Sequence, residues 1–435
     1  MKNKKIYFIG IGGIGVSALA KYYLCQGFKV SGSDLAPSEI TKALFKMGVA
    51  LKIGPHRAKN LPKGVDAVIF SPAVRINNPE YREALKRKVE LKSYPQALGE
   101  LTKNHFTIAV SGTHGKSTTT ALLGILLKSA GLDPSVIIGT KVKEFNNSNC
   151  LVGKSKYLAI EADEHFASFL NYWPQIIVLT TVEREHLDFY KNLNSIIKTY
   201  KKYINHLPEG GILVANKDDQ NIKKIIKSFS GKIVYYSQKD KDAKKIQKVL
   251  KVPGRHNIAN ALAVKRVGEI LKIPEKTILS SLAKYQGAWR RFEVKETKIS
   301  GKRITLVSDY GHHPTEVKAT VEGAREKYKN KKIWLVFQPH QYQRTYFLFK
   351  DFVRNLKGLP LDKLILTDIY DVAGREDNKI KNRVSSEKLV ESIKKENTLY
   401  IKKEKILDYL KANLKGGEVL MVMGAGDIYN LTVSL

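Results

Sequence analysis

The stretch Ser111-Gly112-Thr113-His114-Gly115-Lys116-Ser117-Thr118 decides how the middle of this chain is interpreted. It follows an apolar, β-branched run, Phe106 to Val110, and precedes a helix-like segment from Thr119 to Ser129. A strand, a glycine-rich turn and a helix start direct several backbone N–H groups at one concave point, with the helix dipole behind them. This order of elements predicts a site for a polyphosphate.

Lys116 and Ser117 are the residues of this loop that would do chemistry. A lysine after the last glycine reaches the β- and γ-phosphates, and the hydroxyl that follows it coordinates Mg²⁺. Such loops usually have another glycine five residues before Gly115, where this chain has Val110. An ordinary tight turn between strand and helix is therefore the alternative, but the flanking elements favour binding of a nucleoside triphosphate.

Length and composition indicate a globular protein of several domains. At about 150 residues per domain, 435 residues suggest about three domains, and 43% hydrophobic with 27% charged residues is typical of a soluble fold. No uninterrupted apolar run reaches the roughly eighteen residues of a membrane span. Cys25 and Cys150 are too few for a disulfide framework or a metal cluster, so we expect a cytoplasmic protein.

The net charge is large, because 75 Lys and Arg residues against 41 Asp and Glu residues give +34. Such an excess raises the prospect of a nucleic acid partner. The lysines are nevertheless scattered along the chain, and neither an arginine-rich arm nor a recognisable nucleic-acid-binding motif is present. We therefore predict solvated, lysine-rich surfaces that attract anionic substrates, with no nucleic acid and no membrane as partners.

Strand and helix signals alternate along the whole chain and divide it into three blocks, 1–103, 104–290 and 291–435. Strands separated by helix-length segments predict α/β domains with parallel, doubly wound sheets. The predicted strands run from Lys5 to Ile9, Phe28 to Gly32, Val65 to Phe70, Phe106 to Val110, Tyr157 to Ile160, Ile176 to Thr180, Gly211 to Ala215, Ile304 to Val307, Ile333 to Phe337, Leu364 to Leu366 and Val419 to Val422.

A second glycine turn, Gly10-Ile11-Gly12-Gly13-Ile14-Gly15, directly follows the first strand and opens a helix. Its glycines fit a tight turn, close approach to a diphosphate, and helix–strand packing, and Asp34 ends the next strand about twenty residues on. A dinucleotide cofactor, a nucleotide sugar and a purely structural turn all agree with this pattern. Because a nucleoside triphosphate site is predicted elsewhere, a nucleotide sugar is favoured.

Acidic residues and a histidine follow two strands of the central block. Glu161 to Glu164 come directly after one strand, at the end where α/β folds place their sites, and Glu161 would complete Mg²⁺ coordination beside Ser117. His186 follows another strand and is a candidate for a second metal ion or for orienting the transferred phosphoryl group. Solvated polar side chains are the alternative for each residue, and the one we favour for Glu164 and Asp188.

With these motifs in place, the chain resembles the Mur ligase family over nearly its whole length. The resemblance is most specific in the phosphate loop and in Asp309-Tyr310-Gly311-His312-His313-Pro314. It is carried in order by Ile9 to Ala20, Ser31 to Asp34, Ser71 to Val74, Ser111 to Thr119, Glu161 to Leu170, Glu185 to Tyr190, Pro253 to Asn257 with Asn260, Arg290 to Phe292, Asp309 to Val317, and Phe337 to His340 with Arg344.

The resemblance implies an N-terminal Rossmann-like domain for a UDP-sugar (1–103), a central P-loop ATPase-like domain (104–290) and a C-terminal Rossmann-like α/β domain that closes over nucleotide and amino acid (291–435).

The resemblance also implies the site residues. UDP-N-acetylmuramate would contact Gly10, Gly12, Gly13, Ile14, Gly15, Ser33, Asp34 and Ser71. ATP would contact Gly112 to Thr118, His256, Asn257, Asn260, Asp309 and Tyr310. Metal binding falls to Ser117, Glu161 and His186, amino-acid binding to His312 and Arg344, and catalysis to Lys116, His186, His340 and Arg344.

The implied activity is ATP-dependent formation of an amide on the lactyl carboxylate of UDP-N-acetylmuramate, through an acyl phosphate, in peptidoglycan synthesis. Mg²⁺ is the implied cofactor, L-alanine the favoured amino acid, and a monomer or homodimer the expected state. Glycine or serine as the amino acid, or another muramyl acceptor, are alternatives within the same chemistry. A non-catalytic binding protein on the same scaffold is an alternative of a different class.

The chain departs from the family pattern at a few functional positions. Thr181 and Glu185 stand where the family usually has Asn and Asp, and Gln341 stands where it has an arginine expected to hold the amino acid. Arg375 is a candidate to replace that charge, although a solvated loop arginine is the favoured reading. Between Tyr235 and Pro253 the family usually has extra strands, where we predict a short Lys/Asp-rich link.

Overall fold

A computed structural model describes residues 4–372 and 378–435. Within these residues the strands form three sheets, one in each α/β domain, as the sequence predicts. The amino-terminal sheet is entirely parallel, with the order β3-β2-β1-β4-β5. Its strands are β1 Lys5–Ile9, β2 Lys29–Asp34, β3 Ala50–Ile53, β4 Ala67–Phe70 and β5 Glu90–Ser93, and its helices are α1 Ile14–Cys25, α2 Glu39–Lys46, α3 Pro79–Lys86 and α4 Tyr94–Lys103.

The central domain contains a seven-stranded sheet with the order β12-β11-β10-β6-β9-β7-β8. The buried apolar runs of β6 and β10 lie side by side in its middle, as near-continuous hydrophobic strands of parallel sheets do. The strands are β6 Phe106–Ser111, β7 Ser135–Val142, β8 Ser148–Leu151, β9 Tyr157–Glu161, β10 Ile176–Leu179, β11 Ile212–Asn216 and β12 Lys232–Tyr236. The helices are α5 Lys116–Ser129, α6 Leu193–Ile204, α7 Gln220–Ile226, α8 Asp242–Val249, α9 Arg255–Ile270 and α10 Glu275–Leu282.

The carboxyl-terminal domain has a six-stranded sheet with the order β13-β14-β18-β15-β16-β17. Buried aliphatic and aromatic side chains cover both of its faces. The strands are β13 Glu293–Ile299, β14 Lys302–Asp309, β15 Ile333–Phe337, β16 Lys363–Leu366, β17 Thr398–Tyr400 and β18 Val419–Met423. The helices are α11 Pro314–Lys327, α12 Tyr342–Phe347, α13 Phe349–Lys357, α14 Asn378–Lys381, α15 Ser386–Ile393, α16 Ile406–Asn413 and α17 Tyr429–Ser434.

Several strand ends shift by one or two residues from the prediction, and the sequence did not predict strands β3, β5, β7, β8, β12, β13 and β17. The fold differs from the sequence prediction in three further respects. The β7–β8 and β13–β14 pairs are antiparallel, because short turns rather than crossover helices connect them. Helix α5 begins at Lys116 rather than at Thr119, since Gly115 supplies the turn that starts it. The predicted Lys/Asp-rich link contains α8, whose buried Ile246 anchors an otherwise polar helix. Among the helices described, none has both the length and the apolar character needed to cross a lipid bilayer.

The chain divides into two compact units. The first unit holds the residues up to Val182 together with Ile197–Ser237 and Ala261–Lys284, and the second holds Glu183–Ile196, Gln238–Asn260 and the residues from Tyr285 onward. The first unit therefore contains the whole amino-terminal sheet and the central sheet. The second contains the carboxyl-terminal sheet.

A buried polar contact joins α1 to the β7–β8 hairpin inside the first unit. The ammonium of Lys21 donates to Asn149 Oδ1 at 2.7 Å, and Asn149 Nδ2 donates to the Ile14 carbonyl at 2.6 Å and to Ser17 Oγ at 2.9 Å. Burial lowers the pKa of Lys21. Because Asn149 connects both a buried cation and a helix carbonyl, we infer that it fixes the amino-terminal domain on the hairpin.

We expect Asn149→Ala to lower the melting temperature of the first unit, because it removes the shorter hydrogen bond of the buried Lys21 ammonium and leaves only Ser148 Oγ, at 3.4 Å, as its acceptor. The loss corresponds to about 1–3 kcal/mol. Glu39→Ala is the matched control, since Glu39 pairs with Lys141 across the same two domains but is exposed, and such pairs contribute about 0–1 kcal/mol. Thermal unfolding followed by circular dichroism checks this, and equal effects of the two substitutions would contradict it.

Candidate functional site

The predicted phosphate loop connects β6 to α5 in the first unit. Gly112 and Gly115 have φ values of +141° and +82°, which favour glycine, and a Cβ on Gly112 would lie 2.0 Å from Thr180 Oγ1. Gly115 precedes α5 without any side-chain cap, so the N–H groups of the first helical turn have no capping side chain. This arrangement attracts an anion.

The end of β10 fixes the loop from one side. The Thr113 N–H donates to the Thr181 carbonyl at 2.7 Å, and the His114 N–H donates to Thr181 Oγ1 at 3.0 Å. The Thr180 hydroxyl donates to the His114 carbonyl at 2.5 Å. The first amides of the loop are therefore held by β10, and the amides left to face a phosphate begin at Gly115.

Lys116 forms a buried ion pair at the base of this loop. Its Nζ donates to Glu164 Oε2 at 2.8 Å and to the Gly112 carbonyl at 2.7 Å, and Asp163 Oδ1 lies 3.7 Å away. Burial alone would lower the pKa of Lys116, but the carboxylates of Glu164 and Asp163 outweigh it and raise that pKa above its usual value. The prediction that Glu164 is solvated is wrong, because its side chain is 2% exposed and neutralises this lysine.

Ser117 and Glu161 lie together beside the same helix start. The Ser117 hydroxyl is 3.0 Å from each carboxylate oxygen of Glu161, and the Gly139 N–H donates to Glu161 Oε2 at 2.8 Å. A Cβ on Gly139 would lie 2.9 Å from that oxygen, so β7 confines the carboxylate. A hydroxyl and a carboxylate are hard oxygen donors, and this donor set fits a divalent cation such as Mg²⁺.

His186, the third predicted metal residue, lies in the second unit. Its φ is +53°, an unusual conformation for a residue other than glycine. Its backbone N–H donates to Glu185 Oε1 at 3.0 Å. Asp188, two residues later, is exposed to solvent, as the sequence predicts.

The amino-terminal glycine turn is also tightly built. Gly10 has φ of +75°, and the N–H groups of Gly10 and Ile11 donate to the Ser33 carbonyl at 2.9 and 3.0 Å. The Gly12 N–H donates to Asp34 Oδ2 at 2.7 Å. Asp34 therefore holds this turn through one oxygen, while Gly13 precedes α1 without a side-chain cap.

Neighbouring side chains leave little room around the same turn. A Cβ on Gly10 would lie 3.0 Å from Ser71 Cβ, and a Cβ on Gly15 would lie 3.0 Å from the Tyr94 ring. Ile14, the remaining predicted residue of this turn, begins α1, and its carbonyl accepts a hydrogen bond from Asn149.

Ser33 belongs to a buried network that the sequence did not indicate. Its hydroxyl donates to Glu80, whose side chain has no exposed surface and also contacts His56 Nδ1 at 3.1 Å and Asn60 Nδ2 at 2.7 Å. The Tyr7 hydroxyl completes the group at 3.3 Å from Glu80 Oε2. The Ser33 side chain thus supports the turn from inside the domain. An acidic residue at the start of a helix gives no sign of burial, so Glu80 had no signal in the sequence.

In the second unit, Glu185 and Arg344 form a buried ion pair. Arg344 Nε and Nη2 lie 2.9 and 2.8 Å from Glu185 Oε1, and each side chain is 7% exposed. Burial would raise the pKa of Glu185, but Arg344 outweighs it and holds this pKa well below its usual value. Among the residues described, Glu185 Oε2 is buried without a hydrogen-bond partner.

Two uncharged histidines adjoin this pair. The His312 and His340 rings are 5.7 Å apart. Burial first and then Arg344 lower the pKa of His312 to about 4. Burial, His312 and Arg344 lower the pKa of His340 to about 2. Both imidazoles are therefore neutral near pH 7, and they can donate or accept hydrogen bonds without carrying charge.

Asp309 ends β14, Tyr310 follows it, and both shape the loop before His312. The Phe292 and Gly311 N–H groups donate to the two Asp309 oxygens at 2.8 and 2.7 Å, and burial raises the pKa of Asp309. The Arg290 guanidinium lies 4.7 Å from the centre of the Tyr310 ring, a cation–π distance. The carboxylate of Asp309 therefore organises the backbone, and Tyr310 is held by an arginine.

The residues predicted beside adenine lie in the first turns of α9. Asn257 Nδ2 donates to the Pro253 carbonyl at 2.6 Å, and both Asn257 and Asn260 are buried. His256 lies between Gly254 and Asn257 in this turn. Arg375, the candidate for the missing charge at Gln341, lies outside the described residues.

Family models match three successive parts of the chain. The descriptions are "Mur ligase family, catalytic domain" for residues 5–106, "Mur ligase middle domain" for residues 110–268, and "Mur ligase, glutamate ligase domain" for residues 290–426. The chain belongs to the Mur ligase family.

Two relatives that are similar over nearly the full length are named for the same activity. The UDP-N-acetylmuramate–L-alanine ligase of Clostridium acetobutylicum is 39% identical and covers 99% of this chain and 96% of that protein. The enzyme of the same name from Clostridium tetani is also 39% identical, over 98% of this chain and 96% of that protein.

Solved structures of Mur ligases have the same architecture. The UDP-N-acetylmuramate–alanine ligase of Thermotoga maritima is 26% identical, with a TM-score of 0.80 over 99% of this chain and 97% of that chain. A murein peptide ligase from Psychrobacter arcticus, 20% identical, shares the fold with a TM-score of 0.72 over 99% of this chain and 98% of that chain.

The departure of this Mur ligase at Gln341 coincides with an unusual backbone. Gln341 has φ of +71°, its N–H donates to the Tyr370 carbonyl at 2.9 Å, and its carbonyl accepts from the Thr345 N–H at 3.1 Å. No hydrogen bond of the Gln341 side chain is found among the described residues. The hydrogen bonds that hold this position therefore come from the main chain and not from the Gln341 side chain.

We expect Lys116→Met to destabilise the first unit by about 3 kcal/mol, because it leaves the buried Glu164 carboxylate without a counter-charge. The double substitution Lys116→Met with Glu164→Gln removes both charges and should recover most of the loss. Thermal unfolding of the wild type, both single variants and the double variant gives the coupling energy. Additive effects would show that the pair is not coupled in solution.

Proposed function

We propose that this chain is an ATP-dependent ligase that joins L-alanine to the lactyl carboxylate of UDP-N-acetylmuramate. The observation that carries the proposal is the arrangement of Lys116, Ser117 and Glu161 around the helix start that follows β6, in a chain of the Mur ligase family. Full-length relatives named for this activity support the choice of substrates.

The chemistry requires an activated carboxylate. A carboxylate is a poor electrophile near pH 7, because its leaving group would be oxide. Transfer of the γ-phosphoryl group of ATP produces an acyl phosphate, and the Lys116 ammonium and the α5 amino terminus stabilise the charge that develops on the phosphoryl oxygens. In this step Lys116 exchanges part of its contact with Glu164 for the phosphate.

The other proposed contacts follow the family motifs. The amino-terminal turn from Gly10 to Gly15 would bind the diphosphate of the UDP-sugar, and Asp34 would keep that turn in shape. His256, Asn257 and Asn260 would contact adenine. Asp309 and Tyr310 would position the nucleotide, and His312 would contact the amino acid.

Mg²⁺ is the cation we propose for Ser117 and Glu161, because both supply hard oxygen ligands at a phosphate-binding helix start. Bound there, it would neutralise charge on the transferred phosphoryl group. His186 is the proposed ligand of a second ion.

The decisive experiment measures phosphate release by the purified protein with Mg-ATP and UDP-N-acetylmuramate, adding each of the twenty amino acids separately. We expect L-alanine to give the largest kcat/KM. A larger response to glycine or serine would support the same mechanism with a different amino-acid specificity. In that case Gln341→Arg would be the first substitution to test. Absence of release with every amino acid, from a protein shown to be folded, would refute the proposed activity.

We expect Glu161→Gln to raise the Mg²⁺ concentration needed for half-maximal turnover by at least about tenfold, since an amide is a weaker ligand than a carboxylate. Asp163→Asn is the matched control, because Asp163 is a more exposed carboxylate in the same segment. A Mg²⁺ titration of phosphate release checks the prediction. An unchanged titration for Glu161→Gln would remove Glu161 from the metal site.

A further inference from the structure

The Arg344 guanidinium already makes several hydrogen bonds within the second unit. Nε and Nη2 contact Glu185, and Nη1 lies 2.8 Å from the His340 carbonyl and 3.0 Å from His340 Nδ1. A guanidinium has five N–H donors and no acceptor. Its donors are therefore largely committed to Glu185 and His340, which leaves little of Arg344 for a free carboxylate.

The contact with Nη1 determines where His340 carries its proton. Because Arg344 can only donate, His340 Nδ1 must accept through its lone pair. The neutral ring is therefore protonated on Nε2. Within residues 4–372 and 378–435, Nε2 of His340 has no hydrogen-bond partner, so its N–H is available to a ligand.

Tyr370 and its backbone also hold the His340 ring in place. The ring stacks on Tyr370 with centroids 5.3 Å apart and an interplanar angle of 10°. Two backbone hydrogen bonds join the same segments, from the Tyr370 N–H to the Pro339 carbonyl at 2.8 Å and from the Gln341 N–H to the Tyr370 carbonyl at 2.9 Å. This rigidity is what a preorganised hydrogen-bond donor requires.

Arg344, His312, Glu185 and Arg290 act on the pKa of His340, and the phenol of Tyr370 stacks on its ring. Burial, the two arginines and His312 all lower its pKa, while Glu185 opposes them. His312 has the opposite tautomer, because its Nδ1 is 3.1 Å from the Tyr310 carbonyl, which can only accept. The two neighbouring rings thus present an N–H at His340 and a lone pair at His312.

We propose that His340 acts as an uncharged hydrogen-bond donor, through Nε2–H, to the oxygen that gains negative charge when the amine attacks the acyl phosphate, and that Arg344 is the positioning residue that fixes this tautomer. This inference rests on the proposed ligase activity. It gives Arg344 a different task from the carboxylate clamp that the family resemblance implies.

The step balances without a further reactant. The lone pair of the neutral amine forms the C–N bond, and the carbonyl π pair moves onto the oxygen that His340 contacts. That pair then reforms the carbonyl as the bond from carbon to the phosphate oxygen breaks. Phosphate leaves with the bonding pair and takes the surplus amine proton, which gives the amide and hydrogen phosphate. His340 keeps its own proton throughout.

The tautomer is tested directly by NMR of the resting protein labelled with ¹⁵N-histidine. We expect His340 to show a protonated Nε2 and an unprotonated Nδ1 that do not change between about pH 5 and pH 9. His206 and His312 are internal controls of the opposite kind, because their Nδ1 atoms face the carbonyls of Tyr172 and Tyr310. His340→Gln assigns the signals. A protonated Nδ1, or a titration in this range, would overturn the proposal.

Kinetics test the role of the donor, using the amino acid that supports phosphate release. His340→Gln keeps an N–H near the position of Nε2, whereas His340→Asn places it near Nδ1. We expect kcat to fall by about 10²–10³-fold in His340→Asn and much less in His340→Gln, with unchanged KM for ATP. Equal losses in the two variants would contradict a donor at Nε2.

Arg344→Lys separates positioning from substrate binding. If Arg344 acts through His340, the ¹⁵N spectrum shows a mixture of tautomers, and kcat falls while the KM for the amino acid stays the same. A raised amino-acid KM with an unchanged His340 tautomer would restore the carboxylate clamp and refute our assignment. Because the spectra need no substrate, a failure of the proposed activity leaves the tautomer result distinguishable.

Discussion

The position of β6 between β9 and β10 is the constraint on which the first-unit site depends. All three strands are parallel, so their carboxyl ends meet at one edge of the central sheet. β6 leads into the phosphate loop, β9 delivers Glu161 and Glu164, and β10 delivers Thr180 and Thr181. The order of the strands alone therefore brings the loop, its counter-charge and its supporting hydroxyls together.

In each unit a carboxylate neutralises the cation of the candidate site, and Asp163 adds a second carboxylate near Lys116. Lys116 is paired with Glu164 in the first unit, and Arg344 with Glu185 in the second. A single buried charge would be unstable or would lose its proton, and a pair avoids both outcomes. The two pairs differ in how freely the cation can move toward a ligand. Lys116 is a flexible point charge that can shift toward a phosphate, whereas Arg344 is a planar fork that fixes its partners.

Much of the fold could be predicted from the sequence, because buried parallel strands are continuous apolar runs and glycine turns follow them directly. β1 and β15 have the bounds that their apolar runs predict. The edge strands β3 and β5 had no such signal, since β3 contains lysine and β5 contains glutamate, lysine and serine, and β17 is only three residues long. The hairpin strand β8 was not predicted either, because it begins with serine and asparagine and contains no apolar run.

Within the site, the sequence indicated which residues lie in the phosphate loop but not how their hydrogen bonds are shared. Motif spacing places Asp34 near the glycine turn, yet only the geometry shows that it accepts from Gly12. The burial of Glu164 and of Glu80 depends on partners from distant segments, Lys116 and Tyr7 among them. Such pairings are tertiary, and a single sequence does not contain them as a local pattern.

The departures from the Mur ligase pattern lie where one oxygen or the main chain makes the contact. Thr181 holds the loop with its main-chain carbonyl and its hydroxyl oxygen. An asparagine has the same carbonyl, and its side-chain amide oxygen is also an acceptor. Glu185 holds Arg344 with a single carboxylate oxygen, which an aspartate also has. Gln341 is held by its backbone. A functional position can therefore change its side chain without loss of the contact when the atom that makes it survives the change. By the same reasoning, no other residue type at position 116 or 344 would keep the N–H donors of Lys116 or Arg344 in place.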